Sequence, residues 1–411
     1  MNAEIITIGD ELLMGQTIDT NSVYIAKKLE TIGIRIHYKT AISDSIEAIN
    51  QTLELALKRS ELIILTGGLG PTKDDITKKT LANFFQSGWR TDQTVIDHLK
   101  KIFERRGRTL LDSNLLQAEL PEKCITLFNQ AGTAPGMWFD HDQKIIISLP
   151  GVPNEVEYLI ENQVIPRLNT QFNLPQLVHK TLVTLMVPES LLSKQLEAFE
   201  ASLPSEISLA YLPSFNCVKL RLSAKIGQTV SEDVLTSWFE KLQLEAAPHV
   251  LCTTDSLPCH YIAQRLLNEN ITFSLAESCT GGYISNQMVQ VPGISAVFEG
   301  SMVSYSYRIK HEKLGVSNEI LNSVGAVSEE CAVAMAKGIR DFSSAQLGIG
   351  VTGIAGPGGG SSDKPVGTVY IAVSFKNHVI VRRFNLPGTR IQFMERTANC
   401  AMALVNEILE K

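Results

Sequence analysis

The first third of the chain alternates short apolar runs with amphipathic stretches. Ala3 to Ile8 is apolar, Thr20-Asn21 to Ile32 has helical spacing, and Ile34 to Lys39 returns to a strand pattern. Asp44 to Lys58 is helical again, Leu62 to Leu65 is apolar at every position, and Ile76 to Phe85 is helical. A strand that is apolar throughout suits burial on both faces, so this alternation predicts a parallel sheet with helices on either side. Met137 to Phe139 and Lys144 to Leu149 extend it with two more strands, and Pro150 to Glu155 reads as a rigid turn and a helix start. From about Val178 to Leu251 the rhythm changes: strand Thr181 to Met186, helix Glu189 to Ser202, strands Ile207 to Tyr211 and Cys217 to Ala224, helix Ser231 to Ala247. A third pattern starts with helix Tyr261 to Asn268 and strand Thr272 to Ala276. It continues through strands Met302 to Tyr305, Leu347 to Val351 and Val369 to Ser374 to a last helix after Gly388-Thr389.

Candidate chemistry sits where strands end. After Leu65 come Gly67, Gly68 and Gly70, then Thr72, Asp74 and Asp75. Glycines let the backbone turn sharply and bring N–H groups against a ligand, and Thr72 is placed to cap a helix whose dipole favours phosphate. Two adjacent carboxylates repel a bare phosphate, so Asp74 and Asp75 make sense with a divalent cation between them and the ligand. The alternative is an ordinary strand-to-helix turn whose aspartates only favour the helix end. Gly9-Asp10-Glu11 repeats the glycine and carboxylate pairing after Ile8, and both turns lie at strand carboxyl ends, where open α/β sheets bind ligands. The two turns are therefore expected to share one pocket.

In the last third, Glu277-Ser278-Cys279-Thr280-Gly281-Gly282 places hydroxyls and glycines at a helix start, an anion site with Ser278, Thr280 and Gly281 as contacts. Cys279 invites a nucleophile reading, which needs a histidine partner that the other glycine loops do not supply. Ser295, Tyr305 and Lys310 fall within sixteen residues, spread over a turn, a strand and the following turn. A lysine of lowered pKa, or a tyrosine beside it, can take a serine proton without histidine. Equally, Ser295 could cap a helix, Tyr305 could be core and Lys310 solvated. Thr352 opens a glycine-dense loop with Gly353 and Gly356, suited to cradling a ligand or an oxyanion, and Arg390, with Arg396 as its substitute, supplies a cation.

Length and composition narrow the field. At 411 residues the chain holds two or three domains, and 44% hydrophobic with 19% charged residues is the balance of a folded protein. A net charge of -6 without a basic block gives no support for nucleic-acid binding. No apolar run is long enough to span a membrane and Met1 to Gly9 lacks signal-peptide character, so a cytoplasmic location is expected. Seven cysteines without a Cys-x-x-Cys pair indicate neither a disulfide framework nor a zinc site.

The motifs Gly9 to Leu13, Thr66 to Thr72 with Asp74-Asp75, Ala134-Pro135-Gly136 and Leu149 to Pro153 together resemble the amino-terminal domain of the CinA (competence/damage-inducible protein A) family. Ala276 to Gly282, Ser295 with Tyr305 and Lys310, Gly325 to Ser328, Thr352 to Gly358 and Lys364 to Thr368 resemble its carboxyl-terminal domain. The resemblance implies an α/β molybdopterin-binding-like parallel-sheet domain over 1–172, a small α+β (KH-like) connecting domain over 173–254, and a carboxyl-terminal α/β deamidase domain over 255–411. The connecting domain lacks the Gly-x-x-Gly loop of nucleic-acid-binding KH domains.

For function, the resemblance implies hydrolysis of nicotinamide mononucleotide (NMN) to nicotinate mononucleotide and ammonia. Ser295 would be the nucleophile, Tyr305 and Lys310 its activators, Thr352 a catalytic or oxyanion contact, and Arg390 or Arg396 a substrate contact; that site would use no cofactor. It also implies ADP-ribose hydrolysis to AMP and ribose 5-phosphate at the amino-terminal turns. There a divalent metal of the Mg, Mn or Co type, possibly with a monovalent cation, would be held by Asp74 and Asp75. A homodimer is expected on the same ground. Two other roles remain open: a molybdopterin-binding enzyme, and a regulatory protein using its nucleotide sites as sensors.

Overall fold

The computed structural model describes residues 1–70, 75–172, 176–227 and 230–411. Contacts divide the chain into two compact units, Met1–Val178 with a short piece from Lys225, and His179–Ala224 with Val230–Lys411. The connecting segment therefore joins the carboxyl-terminal domain in one unit, rather than standing apart as a third.

The first unit is built on a six-stranded sheet in the order Arg35–Ile42, Asn2–Ile8, Leu62–Thr66, Lys144–Leu149, Gly136–His141, Ile125–Leu127. The first four strands run parallel, as the alternating pattern predicts. The last two pairings are antiparallel; Asp142 and Gln143, both with positive φ, turn the chain in a tight hairpin between Gly136–His141 and Lys144–Leu149. Burial on both faces is realised residue by residue: Leu62 and Ile64 enter one hydrophobic cluster, Ile63 and Leu65 the other. Helices Thr20–Thr31 and Ile46–Arg59 are capped by Asp19 and Ser45, whose side chains accept from Ser22 N and Ala48 N. Residues 89–121, not assigned above, contain helix Gln93–Arg105 and a short two-stranded ribbon, Trp89–Thr91 with Glu119–Pro121.

In the second unit, the connecting segment forms a four-stranded sheet in the order Ile207–Ser214, Cys217–Ile226, Gln176–Leu185, Val250–Cys252. The carboxyl-terminal domain has a five-stranded sheet in the order Phe298–Val303, Phe273–Glu277, Leu347–Gly353, Thr368–Phe375, His378–Asn385. Its first three strands are parallel, with Glu277 opposite both Val303 and Val351. Their carboxyl ends thus emerge side by side. Helix Glu329–Ser343 covers this sheet closely: a Cβ on Gly350 would lie 2.4 Å from the Ala332 carbonyl oxygen, so only glycine admits the approach. The last helix, Arg390–Leu409, starts on a Thr389–Gln392 capping box.

Candidate active site

Three neighbouring parallel strands deliver the carboxyl-terminal site. Ser278 follows strand Phe273–Glu277, Ser304 and Tyr305 follow Phe298–Val303, and Thr352 stands at the end of Leu347–Gly353. Helix Tyr307–Leu314, capped by Ser306, then carries Lys310 back beneath these ends. Lys310 is only 1% exposed. Its Nζ lies 2.9 Å from Ser278 Oγ and 2.6 Å from the Ser304 carbonyl oxygen. Burial lowers the Lys310 pKa, since a charged amine loses hydration there. Lys310 Nζ donates to the Ser278 hydroxyl oxygen, and an amine whose charged form is disfavoured by burial is a group able to take a serine proton.

The loop around Ser278 is held from below. The buried Glu277 carboxylate accepts hydrogen bonds from the backbone N–H groups of Gly282, Ile284 and Ser285 and from the Ser285 hydroxyl. This fixes the turn in which Gly281 and Gly282 adopt φ of 60° and 96°. A cavity of about 470 Å³ belongs to another part of the chain; the one over Ser278 measures about 300 Å³. Ser278, Tyr305, Tyr307, Lys310, Thr352 and Arg390 line it together with Gly353, Gly356 and neighbouring loop residues. Arg390 donates to the Gly356 carbonyl at 2.8 Å and to the Tyr305 hydroxyl at 2.7 Å. Thr352 donates its hydroxyl to the Ala326 carbonyl at 2.7 Å, tying the strand end to the loop before helix Glu329–Ser343. Burial pushes the Cys279 thiol up to about 12, so it is no thiolate nucleophile.

The first unit also gathers its two turns at strand carboxyl ends. Gly67 has φ of 116°, and a Cβ there would lie 2.2 Å from the Ile8 carbonyl oxygen, directly before Gly9 and Asp10. Asp10 N donates to Asp44 Oδ2 at 3.1 Å, and a Cβ on Gly68 would come within 3.6 Å of Asp44 Oδ1. A Cβ on Gly70 would collide with the Asp75 carboxylate at 2.4 Å. The Asp44 pKa is raised, first by burial and then by the negative charge of Glu11, Asp10 and Asp75, with the Asp10 hydrogen bond opposing. Asn21 ties the end of strand Leu62–Thr66 to the Pro150-Gly151 turn, donating to Thr66 Oγ1 and to the Gly151 carbonyl.

Residues 258–409 match the model of the CinA C-terminal domain, and residues 4–170 match that of the "Probable molybdopterin binding domain". Over 414 residues the chain is 42% identical to a CinA-like protein of Flavobacterium psychrophilum, covering 100% of this chain and 99% of that one. The chain belongs to the CinA family. A CinA-like protein of Cytophaga hutchinsonii is 40% identical over 420 residues, covering 100% of this chain and 98% of that one. A crystal structure of the protein CinA from Thermoplasma acidophilum is 33% identical, covers 41% of this chain and 96% of that one, and has a TM-score of 0.36.

Within this CinA chain, several predicted site residues are not brought together. Ser295 sits exposed in the short helix Ile294–Ala296, before strand Phe298–Val303, whereas Lys310 is reached after it. Six residues at roughly 3.3 Å each put about 20 Å of strand between the two ends. Ser278 therefore takes the place beside Lys310 that proximity in the chain assigns to Ser295. Lys310 and Tyr305 also lie outside the expected turn and strand, the first on a helix and the second in the loop before it. The Tyr305 hydroxyl points to Arg390; only its backbone carbonyl, at 3.5 Å, approaches Lys310.

Thr280 is fully buried and does not line the cavity, nor does Gly281. Arg396 bonds the Pro387 carbonyl and lies over the Phe215 ring, away from it. Glu277, which anchors the loop, is a positioning residue that the motif alone does not single out. In the first unit, helix Thr77–Phe84 begins at Thr77 after Ile76, with no side-chain cap. Thr72 and Asp74 lie outside the described residues. Among the described residues no group of three or more His, Cys, Asp or Glu side chains is arranged to hold a metal ion. Also among them, no helix is long and apolar enough to cross a membrane.

Proposed function

We propose that the carboxyl-terminal site is a serine–lysine amidase acting on the carboxamide of NMN. The observation that carries this reading is the 2.9 Å contact between the buried Lys310 amine and the Ser278 hydroxyl at the floor of an open cavity. Neutral Lys310 takes the Ser278 proton as Oγ attacks the carboxamide carbon, giving a tetrahedral oxyanion. Backbone N–H groups of the loops lining the cavity, around Cys279 and Ala355-Gly356, supply the stabilisation. Collapse breaks the C–N bond, and the proton held on Lys310 leaves with nitrogen as ammonia. Water, deprotonated by the same amine, then attacks the seryl ester; nicotinate mononucleotide departs and Ser278 recovers its proton. Arg390 supplies the cation for the substrate phosphate.

In the first unit we propose ADP-ribose hydrolysis at the joined glycine turns. The support is the gathering of Asp10, Glu11, Asp44 and Asp75: burial first, and then the charge of the other three, raises the Asp44 pKa, and a divalent cation would relieve that concentration of negative charge. The described carboxylates do not close a ligand set, so no step is assigned through a metal. The protein's own part is to hold the diphosphate against the turn formed by Gly67, Gly68 and Gly70.

The deciding experiment incubates the pure protein with NMN, then separately with ADP-ribose with and without added magnesium, manganese or cobalt. Ammonia and AMP are the readouts. Ammonia release lost in Ser278→Ala supports the amidase, and its absence in the wild type removes it. AMP formed only with added metal supports the second reading. Saturable binding of either nucleotide without turnover would instead favour a sensor.

A further inference from the structure

The amidase reading, on which this inference rests, leaves the rim of its cavity unexplained. Tyr305 and Tyr307 both line the cavity, yet they are 61% and 52% exposed. Two large aromatic side chains are thus presented to solvent at a binding cavity instead of packing into the core. Tyr305 is held by the hydrogen bond from Arg390 to its hydroxyl. Tyr307 is the first residue of helix Tyr307–Leu314, with its backbone fixed by the Ser306 cap. The Tyr305 hydroxyl is taken by Arg390, while Ser278 and Lys310 bond each other, so the rings, rather than the phenols, are what the cavity offers.

The charges around the cavity define what those rings meet. Among the described residues that line it there is no aspartate or glutamate; the only ionisable cations are Arg390 and the buried Lys310. The ring of the proposed substrate is an N-substituted pyridinium, a delocalised cation, while its phosphate end is anionic. With no carboxylate as counter-ion, the groups able to attract a cationic ring here are the faces of the two tyrosines, whose quadrupoles place negative charge above the ring. Arg390 uses one nitrogen on Gly356 and another on Tyr305, and a guanidinium has five N–H donors, so donors remain for an anion.

We propose that Tyr305 and Tyr307 form an aromatic mouth that recognises the positively charged, N-substituted pyridinium ring, with Arg390 taking the anionic end of the same ligand. The mouth selects nucleotide over free base: nicotinamide itself carries no ring charge and gains none of this attraction. Tyr307 acts as a recognition residue that contacts the ring and takes no part in proton transfer.

The test measures binding of two small probes to the full chain by ligand-observed saturation-transfer NMR: ring-N-methylated nicotinamide, which is a cation, and nicotinamide, which is neutral. The wild type is expected to hold the cation roughly 3- to 30-fold more tightly. Tyr307→Leu is expected to lose most of that preference and to raise KM for NMN more than it lowers kcat; Tyr307→Phe, which keeps the ring, is expected to retain both. Equal affinity for the two probes in the wild type overturns the proposal, as does a preference that survives Tyr307→Leu. A loss shared by Tyr307→Phe also overturns it, because the hydroxyl would then be the active part. If NMN is not turned over but the cation preference exists and falls in Tyr307→Leu, the mouth stands and the amidase reading fails. Turnover of NMN without any cation preference gives the reverse.

Discussion

Two glycine turns at strand ends look alike in the chain and are electrostatic opposites in the fold. Around Gly67 to Gly70 the neighbours are Asp10, Glu11, Asp44 and Asp75, and burial with like charge holds the Asp44 carboxyl above its usual range. The cavity over Ser278 is lined by the buried Lys310 amine, held below its usual range by burial, and by Arg390; among the described residues no carboxylate lines it, the Glu277 carboxylate being engaged by the loop's backbone N–H groups. The first surface has surplus negative charge and suits a ligand that arrives with a cation. The second has a buried amine, its charged form disfavoured, beside a hydroxyl and suits nucleophilic attack. The glycine loop alone does not separate these chemistries; the titratable groups brought to it by other strands do.

The comparison breaks most visibly on two substitutions. Ser278→Ala and Lys310→Ala should each lower NMN deamidation at least about a hundredfold while leaving ADP-ribose hydrolysis unchanged; ammonia and AMP release from one preparation check both. Next in size is the pH profile. Protonated Lys310 cannot accept the serine proton, so kcat should rise by about tenfold per pH unit on the acid limb and level off below the ordinary lysine value of about 10.4. The lowered value also means that the unfolded chain binds more protons at this residue than the folded chain between the two pKa values. Its contribution to stability therefore rises with pH across that window, which chemical denaturation at several pH values would show.

Gly67→Ala sharpens the contrast from the other side. With φ of 116° and a Cβ 2.2 Å from the Ile8 carbonyl, it should destabilise the first unit by about 1 to 3 kcal/mol and reduce AMP formation, with deamidation retained. Calorimetry and the two assays would check it. The smallest effect is expected from Ser295→Ala. Its exposed place at the far end of strand Phe298–Val303 predicts deamidation within about twofold of wild type, and a large loss there would restore it as the nucleophile.

Much of the architecture was legible in the amino-acid pattern, because each apolar run reports its own burial. Leu62 to Leu65, apolar at every position, is a strand covered on both faces. Thr389 with Gln392 caps the last helix where Gly388-Thr389 predicts its start. The Gly9-Asp10 and Gly67 turns come together as their shared position at strand ends implies. Within residues 89–121 helix Gln93–Arg105 carries helical spacing at Val95, Leu99 and Ile102, whereas the ribbon strands Trp89–Thr91 and Glu119–Pro121, three residues each, are too short to show a period.

The identity of the serine is the clearest division between the two sources. The chain by itself determined which residue types the site contains: a serine, a lysine, tyrosines, a glycine loop and an arginine. It also placed Ser295 closer to Lys310 in sequence than Ser278. Only the tertiary structure decided the pairing, because strands Phe273–Glu277 and Phe298–Val303 lie parallel with Glu277 opposite Val303. Residues that leave the same end of parallel neighbours meet whatever their separation along the chain, and residues at opposite ends of one strand cannot. Ser278 and Ser304 leave the same end, and Lys310 reaches them both.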